Sequence, residues 1–317
     1  MVFGAQVVSY LGDWFAFVAL AGLVEDVTDS RFLVSLVLVS MTIPGLFMSP
    51  IAGSFADRFD RRKILIVVSV LQAFAALLLL LHSAAGIWIT FVAQCLIAGL
   101  AAFVGPSSSA SVPNLVDNDD DLRKTNALFG STWGTMLAVG AALGGVFAAV
   151  FGRNAAFIAN AVSFVVAALL FSGVKRPMQS ERTQNSNKGR VRPIADMKEA
   201  INVAKKDPVI LALLCSKMTF AVGAGIVSQL AVLASNVFNV GDSGRGLLIG
   251  VRGIGSGLGP ILGARIAGRD MAKLLKVCGY AGLVFAVCYV GAALSPFIGM
   301  AAVFIALAHL SGGAQWT

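Results

Sequence analysis

The chain has 317 residues, of which 57% are hydrophobic and 13% are charged, and its formal net charge is +8. A soluble domain of this length would carry about 25% charged residues, so the composition excludes a chain made of soluble domains and indicates one that is solvated by lipid. The excess of Lys and Arg does not require a nucleic-acid partner, because cytoplasmic loops of membrane proteins carry the same excess.

Ten apolar stretches are long enough to cross the hydrocarbon core as helices, which takes about 20 residues each. They cover residues 2–24, 31–56, 64–82, 87–110, 126–150, 153–172, 208–236, 246–268, 272–294 and 297–316. The pattern predicts an all-α membrane protein. The first stretch is interpreted as a span and not as a removable signal peptide, because no charged leader or A-x-A cleavage site accompanies it.

The connectors between these stretches alternate in charge. Those at 57–63, 175–206 and 269–276 are rich in Lys and Arg, whereas those at 25–30, 83–86, 237–244 and 295–296 carry almost none. The connector at 117–124 is an exception with four Asp residues, but acidic residues count little in the positive-inside rule. The rule predicts a cytoplasmic N-terminus in an inner or plasma membrane, with lipid and no nucleic acid as partner.

One long polar segment divides the chain. Residues 179–192 have the composition of a flexible linker. Ile194, Met197, Ile201 and Ala204 then follow at helical spacing, which predicts a short amphipathic helix on the cytoplasmic face. We therefore predict a six-helix bundle at 1–174, a linker with its helix at 175–206 and about four further helices at 207–317.

The connector GSFADRFDRRK at residues 53–63 carries the most specific motif. It resembles the loop between the second and third helices of the major facilitator superfamily, with matches at Gly53, Asp57, Arg58, Arg61 and Arg62. Asp60 stands where that family has Gly, so an altered turn is expected there. The resemblance implies a transporter, not an enzyme, built from two six-helix bundles. Only ten of twelve helices are evident, so the second bundle is predicted to be incomplete, without its last two helices.

Further segments are similar to a bacterial exporter branch that includes siderophore and macrolide exporters. These are LGDW at 11–14, VPNLV at 112–116, NAL at 126–128 and NAVSF at 160–164. The chain departs from two sequence patterns that proton-coupled drug antiporters of this superfamily often carry. Gln94 and Cys95 occupy the place of an Arg that precedes Gly99, and the segment at 140–145 has no Pro.

Three charged residues lie deep within apolar stretches, away from their ends, where each charge costs about 2.5–3.5 kcal/mol on insertion scales. Asp13 is interpreted as a proton-binding or substrate-facing carboxylate, or else as a residue that fixes helix packing. Lys217 would bind an anionic group in the transport cavity or extend its stem to the membrane surface. Arg252 would bind an anionic ligand or pair with an acid, for which Asp13 is a candidate. Gln94 joins them as a cavity candidate.

The motif at 53–63 is interpreted as a cytoplasmic gate. The resemblance implies that Asp57 holds the two bundles together near a helix N-terminus. Arg61 and Arg62 are expected to pair with Asp117 or Asp121, so that these contacts break and form again between inward and outward states. The alternative is a loop that is positive only because it is cytoplasmic.

Small residues recur at fourfold spacing in two stretches, which permits close helix contact. The set is Gly140, Gly144, Gly255, Gly259, Pro260 and Gly263. The glycine run near Arg252 does not fit a dinucleotide site, since the G-x-G-x-x-G register and a preceding strand are both missing. His82 and His309 are interpreted as packing or helix-end residues. The four Cys lack metal-ligand spacing, and neither a metal nor a cofactor is predicted.

These features favour a monomeric secondary transporter that exports a small molecule by alternating access, with protons as the coupling ion. Two alternatives within transport are uptake and the movement of lipid between leaflets. A non-transporting receptor or scaffold on the same fold would have little use for the three charges in the membrane. An enzyme embedded in the membrane would need a convergent acid, base or metal set, which the sequence does not offer.

Overall fold

The computed structural model describes residues 1–179, 191–224, 230, 233–268 and 270–316. All the long elements among these residues are α-helices. In chain order they are α1 Val2–Thr28, α2 Arg31–Arg58, α3 Arg61–Leu78, α4 His82–Ala85, α5 Trp88–Ala101, α6 Val104–Leu115, α7 Asp119–Phe151, α8 Arg153–Ser172, α9 Pro193–Lys206, α10 Pro208–Ala224, α11 Gly241–Ala267, α12 Met271–Ala293 and α13 Ile298–Ala314.

The helices follow the predicted apolar stretches closely. Within the residues that the structure describes, seven spans are long and apolar enough to cross a membrane, and a bent pair within α7 would make eight. The helices α10 and α13 are shorter and apolar. The predicted all-α membrane fold is confirmed, whereas the count of ten spans stays a prediction. Most of the predicted flexible linker, residues 180–190, lies outside the described residues.

Short side chains fix where several helices begin. Asp60 caps α3, with its carboxylate accepting the Lys63 amide hydrogen at 3.1 Å. Asp270 caps α12 in the same way, at 2.8 Å from the amide nitrogen of Ala272. Such caps satisfy amide groups that lack a partner within the helix. Between α7 and α8 the chain turns at Gly152 with φ of 84°, a conformation that glycine adopts without a steric penalty.

The helices form two compact units. Unit 1 comprises residues 1–118 and 139–200. In unit 1, α8 packs against α1 and α3, around buried side chains that include Leu20, Phe157 and Phe164. Glycines allow α7 to approach α1 closely, since a Cβ on Gly140 or Gly144 would lie 2.8 Å from Trp14 or Phe15.

Unit 2 comprises residues 119–138 and 201–317, so it includes the first half of α7. Its densest packing joins α11 to α13. A Cβ on Gly255 would lie 2.5 Å from the carbonyl oxygen of Ala306, and one on Gly259 would lie 2.7 Å from Gly313 Cα. Pro260 and Gly263 are also buried. The predicted boundaries at 174 and 207 stay a prediction.

We expect Gly259→Ala to destabilise the protein by about 1–3 kcal/mol, because the added methyl group meets backbone atoms that cannot move independently. Gly250→Ala is the matched control on the same helix, since no described atom lies within 4 Å of its Cβ position. There the substitution should be neutral or stabilising by up to about 1 kcal/mol through helix propensity. Thermal unfolding of the two variants in detergent compares them. Equal midpoints would contradict the close contact of α11 with α13.

Candidate functional site

The predicted gating motif folds into a tight corner between α2 and α3. The helix α2 ends at Arg58, Phe59 is extended, and Asp60 begins α3 as its cap. Two residues therefore join the helices. Where the family pattern has a glycine, this chain forms the turn with φ of −59°, which any residue can adopt. The expected alteration at Asp60 thus takes the form of a helix cap.

A three-residue clamp ties this corner to α9. The Arg58 guanidinium donates to both carboxylate oxygens of Asp196, at 2.6 and 2.9 Å. Ser54 Oγ donates to the same carboxylate at 2.6 Å and accepts from Arg58 at 2.7 Å. The hydrogen bonds from Arg58, followed by that from Ser54, lower the pKa of Asp196 below its ordinary value. A bidentate pair of this kind fixes both position and orientation.

The two arginines that open α3 bind backbone carbonyl groups. Arg61 is 7% exposed and donates to the carbonyls of Ala56 at 3.1 Å, Ala110 at 2.6 Å and Met178 at 3.3 Å. Ala56 lies in the last turn of α2, Ala110 lies within α6, and Met178 lies in the irregular segment after α8, so one guanidinium joins three segments of unit 1. Arg62 donates to the carbonyl of Ser172 at the end of α8.

The predicted pairing of Arg61 or Arg62 with Asp117 is wrong. Asp117 lies on the surface and pairs instead with Arg176 at 2.9 Å, whereas the buried Arg61 donates to backbone carbonyls. Asp121 lies 3.9 Å from Lys124 on its own helix. Its pairing with the arginines of α3 would join the two units and stays a prediction.

Asp57 and Gly53 complete the motif. Asp57 is exposed, and its carbonyl accepts a hydrogen bond from Gln179 at 3.4 Å. No described atom lies within 4 Å of the Cβ position of Gly53, so close packing within the described residues does not explain that glycine. The role of Asp57 in holding the bundles together stays a prediction.

The second candidate site lies where α1 meets α8. Gly12 brings a polar turn of α8 against α1, since a Cβ there would lie 2.7 Å from Asn160 Oδ1 and 2.8 Å from Ser163 Cβ. Asp13 is half-buried and its carboxylate lies near the Asn160 side chain. However, the buried Asn160 Nδ2 makes no hydrogen bond of standard geometry. Buried amide groups are normally paired, so this donor and the carboxylate could bind a further polar group together.

Gln94 is buried in α5. The helix α5 packs mainly against α2 and α3, whereas Asp13 lies on α1, which packs mainly against α8. The described contacts therefore do not bring Gln94 and Asp13 to one site.

Unit 2 contains a buried polar cluster that the sequence did not reveal. His309 is 1% exposed, and its ring nitrogens lie 3.3 Å from Ser256 Oγ and 2.8 Å from the Tyr289 hydroxyl. Arg252 precedes Ser256 by four residues and so lies on the same face of α11. It is close enough to act electrostatically on both Tyr289 and His309. His309 is therefore more than an isolated packing residue.

Lys217 contacts the end of α13. Its ammonium group donates to the carbonyl of Gln315 and lies 4.2 Å from the centre of the Trp316 ring. These contacts give the charge partners within unit 2. Across the described parts of the chain, no group of three or more His, Cys, Asp or Glu residues could hold a metal ion.

Comparison with known proteins identifies the family. The family model of the Major Facilitator Superfamily matches residues 2–317. The chain belongs to the Major Facilitator Superfamily. The resemblance drawn from residues 53–63 is therefore confirmed: the chain is a multi-pass membrane protein of a family of transporters, not of enzymes.

Curated relatives in this superfamily include efflux proteins. The chain is 26% identical over 261 residues to BacE of Bacillus subtilis, a proposed bacilysin exporter. This alignment covers 81% of this chain and 63% of that protein. It is 25% identical over 196 residues to the multidrug efflux pump Tap of Mycobacterium tuberculosis, in an alignment that covers 58% of this chain and 47% of that protein. The chain thus spans less than two thirds of the length of these relatives.

Solved structures of the superfamily share the fold. The human organic anion transporter MFSD10 (TETRAN) aligns with a TM-score of 0.70 at 13% identity, over 99% of this chain and 87% of that one. A bacterial homologue of the iron transporter ferroportin, in an outward-facing state, also aligns with a TM-score of 0.70, at 15% identity. This alignment covers 99% of this chain and 82% of that one. At such identities the likeness establishes the fold alone.

Proposed function

We propose that this Major Facilitator protein exports a small molecule by alternating access, and that proton binding at Asp13 drives the cycle. The observation that carries the proposal is the half-buried Asp13 carboxylate beside a buried amide donor of Asn160 that has no standard hydrogen bond. The efflux relatives support the direction of transport.

The position of Asp13 suits a coupling group. An ionised carboxylate within a membrane-spanning helix is costly, so it is retained where its charge changes or is used. Proton binding would remove that cost and free the Asn160 side chain to rearrange. Because Gly12 keeps α1 and α8 in close contact at this level, a change in the polar contact would be transmitted to helix packing. Differential affinity for protons in two conformations is what drives such a shift.

The polar cluster of unit 2 would contact the substrate. Arg252 keeps its charge in any environment, and its neighbours Tyr289 and His309 present hydrogen-bonding groups within the same cluster. Together they favour a substrate with an anionic or hydrogen-bond-accepting group. We propose Lys217 and Gln94 as further residues of the transport path.

The α2–α3 corner would act as the cytoplasmic gate. Arg61 makes the corner rigid through its three carbonyl contacts, while Arg58 links it to α9 through Asp196. We propose that the clamp of Ser54, Arg58 and Asp196 holds one conformation and opens in the other. Arg62 and Asp57 would make the remaining contacts of the gate.

The proposed setting follows from the charge distribution. The N-terminus and the basic connectors would face the cytoplasm, and the protein would function as a monomer in the inner membrane. The bundle at 1–174 and the helices at 207–317 would move against each other, with 175–206 as their link.

The substrate can be found by a direct assay. Cells that express the chain would be tested against a panel that contains bacilysin, several antibiotics and fluorescent drugs. Lower accumulation than in cells with the empty vector, for at least one compound, is the expected result. Higher accumulation would favour uptake instead, and equal accumulation of every compound would contradict export.

We expect Asp196→Asn to loosen the start of α9, because the amide cannot bind both guanidinium nitrogens of Arg58 as the carboxylate does. Hydrogen–deuterium exchange of the α9 amides should become faster. In the parent protein, the pKa of Asp196 is lowered by Arg58, so the clamp is intact above the ordinary carboxyl range and is lost as pH falls through the lowered value. Exchange relative to the intrinsic rate should therefore rise only at acidic pH.

Glu199→Gln is the control, because it removes the same charge from the same helix. Glu199 is exposed and influences Arg58 only through weaker attraction at a distance. If both variants exchange at the same rate, the clamp does not hold α9 and cannot be part of the gate.

A further inference from the structure

An apolar groove lies between α11, α12 and α13, apart from the polar cluster proposed for the substrate. Its volume is about 520 Å³, within the range of sites that bind small ligands. Its walls include Leu262, Ile266, Val277, Val284, Leu307 and Leu310. These side chains offer no charge or hydrogen bond, and the Ser311 hydroxyl that also lines the groove donates to the Ala308 carbonyl, so this part suits a hydrocarbon group.

One end of the same groove is positively charged. Lys273 and Lys276 line it from the first two turns of α12 and lie three residues apart, on one face of the helix. The nearby acid is Asp270, whose carboxylate already accepts hydrogen bonds from the amides that begin α12.

Polarity changes in order along α12. Lys273, Lys276, Tyr280 and Val284 follow one another at helical spacing and all line the groove. At about 1.5 Å per residue, this stripe runs from ammonium groups to apolar side chains over roughly 16 Å. Tyr280 is 66% exposed at the transition, and Tyr is enriched at the boundary between lipid headgroups and hydrocarbon. The groove therefore has the polarity profile of one lipid molecule.

We propose that this groove binds an anionic phospholipid, with Lys273 and Lys276 at its phosphate and an acyl chain between α11, α12 and α13. Two lysines at one end complement the net negative charge of such a headgroup. In the topology proposed above, this end faces the cytoplasmic leaflet, where anionic lipids attract basic clusters. The site is separate from solute transport, and a bound lipid would stabilise the packing of the three helices.

The test compares lipid binding by native mass spectrometry. The purified 317-residue chain would be titrated with phosphatidylglycerol and with phosphatidylcholine of the same acyl chains. We expect one phosphatidylglycerol to bind with an affinity about tenfold or more above that of phosphatidylcholine, and Lys273→Gln/Lys276→Gln to remove that preference. Val284→Trp, which fills the groove and keeps both lysines, should also weaken phosphatidylglycerol binding.

Lys205→Gln/Lys206→Gln is the matched control, because it removes two exposed lysines from α9. It should leave the preference unchanged. If both double variants lose it equally, the binding is general attraction to positive charge and the groove site is wrong. Equal affinity of the parent for the two lipids would also overturn the proposal. A dimer of the parent that dissociates on Val284→Trp would overturn it as well, since the occupant of the groove would then be a second copy of the chain.

Discussion

Asp13→Asn is expected to abolish transport driven by a pH gradient, with a loss of at least about tenfold in rate, the usual size of one coupling energy. The amide has nearly the shape of the carboxylate and can still contact Asn160, but it cannot bind and release a proton. Movement of substrate down its own concentration gradient should persist, since that movement needs no proton. The measurement is transport in proteoliposomes, with and without an imposed pH gradient.

Asp26→Asn is the control on the same helix. Asp26 lies in the last turn of α1, where it is exposed and pairs with Arg153 at 2.6 Å. Its loss should leave gradient-driven transport close to that of the parent, because exposed ion pairs contribute little. Full gradient-driven transport by Asp13→Asn would show that another group couples the proton. Loss of both gradient-driven transport and movement down the concentration gradient would instead indicate a defect in binding or folding.

Arg61→Met is expected to destabilise unit 1 by about 3 kcal/mol. The substitution keeps most of the side-chain volume and removes the guanidinium that binds the carbonyls of Ala56, Ala110 and Met178. Hydrogen bonds from a charged donor contribute about 1.5–3 kcal/mol each, and carbonyls left unpaired and buried add a further cost. Thermal unfolding in a single detergent measures the loss.

Arg62→Met removes the same charge from the neighbouring residue. Arg62 is only half-buried and donates to one described carbonyl, that of Ser172, so its loss should cost about 1 kcal/mol or less. Similar destabilisation by the two variants would contradict a structural role for Arg61. It would then be better regarded as one of several exchangeable positive charges of the loop.

The helices could be predicted because their signal is local. The apolar runs indicate which parts of the chain lie in lipid. Asp60 and Asp270 mark the starts of two helices, because each caps the helix that follows it. The sequence does not predict the break between α5 and α6, since residues 95–105 around it are apolar throughout. Hydropathy reports solvation and not the path of the backbone, so a bend inside an apolar run leaves it unchanged.

The partners of the motif could not be predicted from the loop itself. The family motif predicts that Arg58 belongs to the gate, but its partner Asp196 lies 138 residues away along the chain. Nothing in the local sequence of Asp196 distinguishes it from a solvated helix residue. Arg61 is predicted to pair with an acid, whereas it donates to backbone carbonyl groups of three separate segments, which sequence patterns do not mark.

His309 was missed for a related reason. A single histidine in an apolar run shows no motif, and its partners Tyr289 and Ser256 lie 20 and 53 residues away. Only the packing of α11 and α12 against α13 brings them together. A single polar residue in an apolar stretch is a weak indication of a buried polar cluster. Polar residues at matching depth in several neighbouring spans are a stronger indication, and His309, Tyr289 and Ser256 form such a set.

Proton-driven export is tested most directly in inverted membrane vesicles, with a compound identified in the efflux panel. Vesicles energised by respiration should accumulate the compound when they contain the parent chain, and a protonophore should release it. Vesicles with Asp13→Asn should accumulate no more than those without the protein. Accumulation that survives the protonophore, or that occurs only in right-side-out vesicles, would contradict export coupled to protons at Asp13.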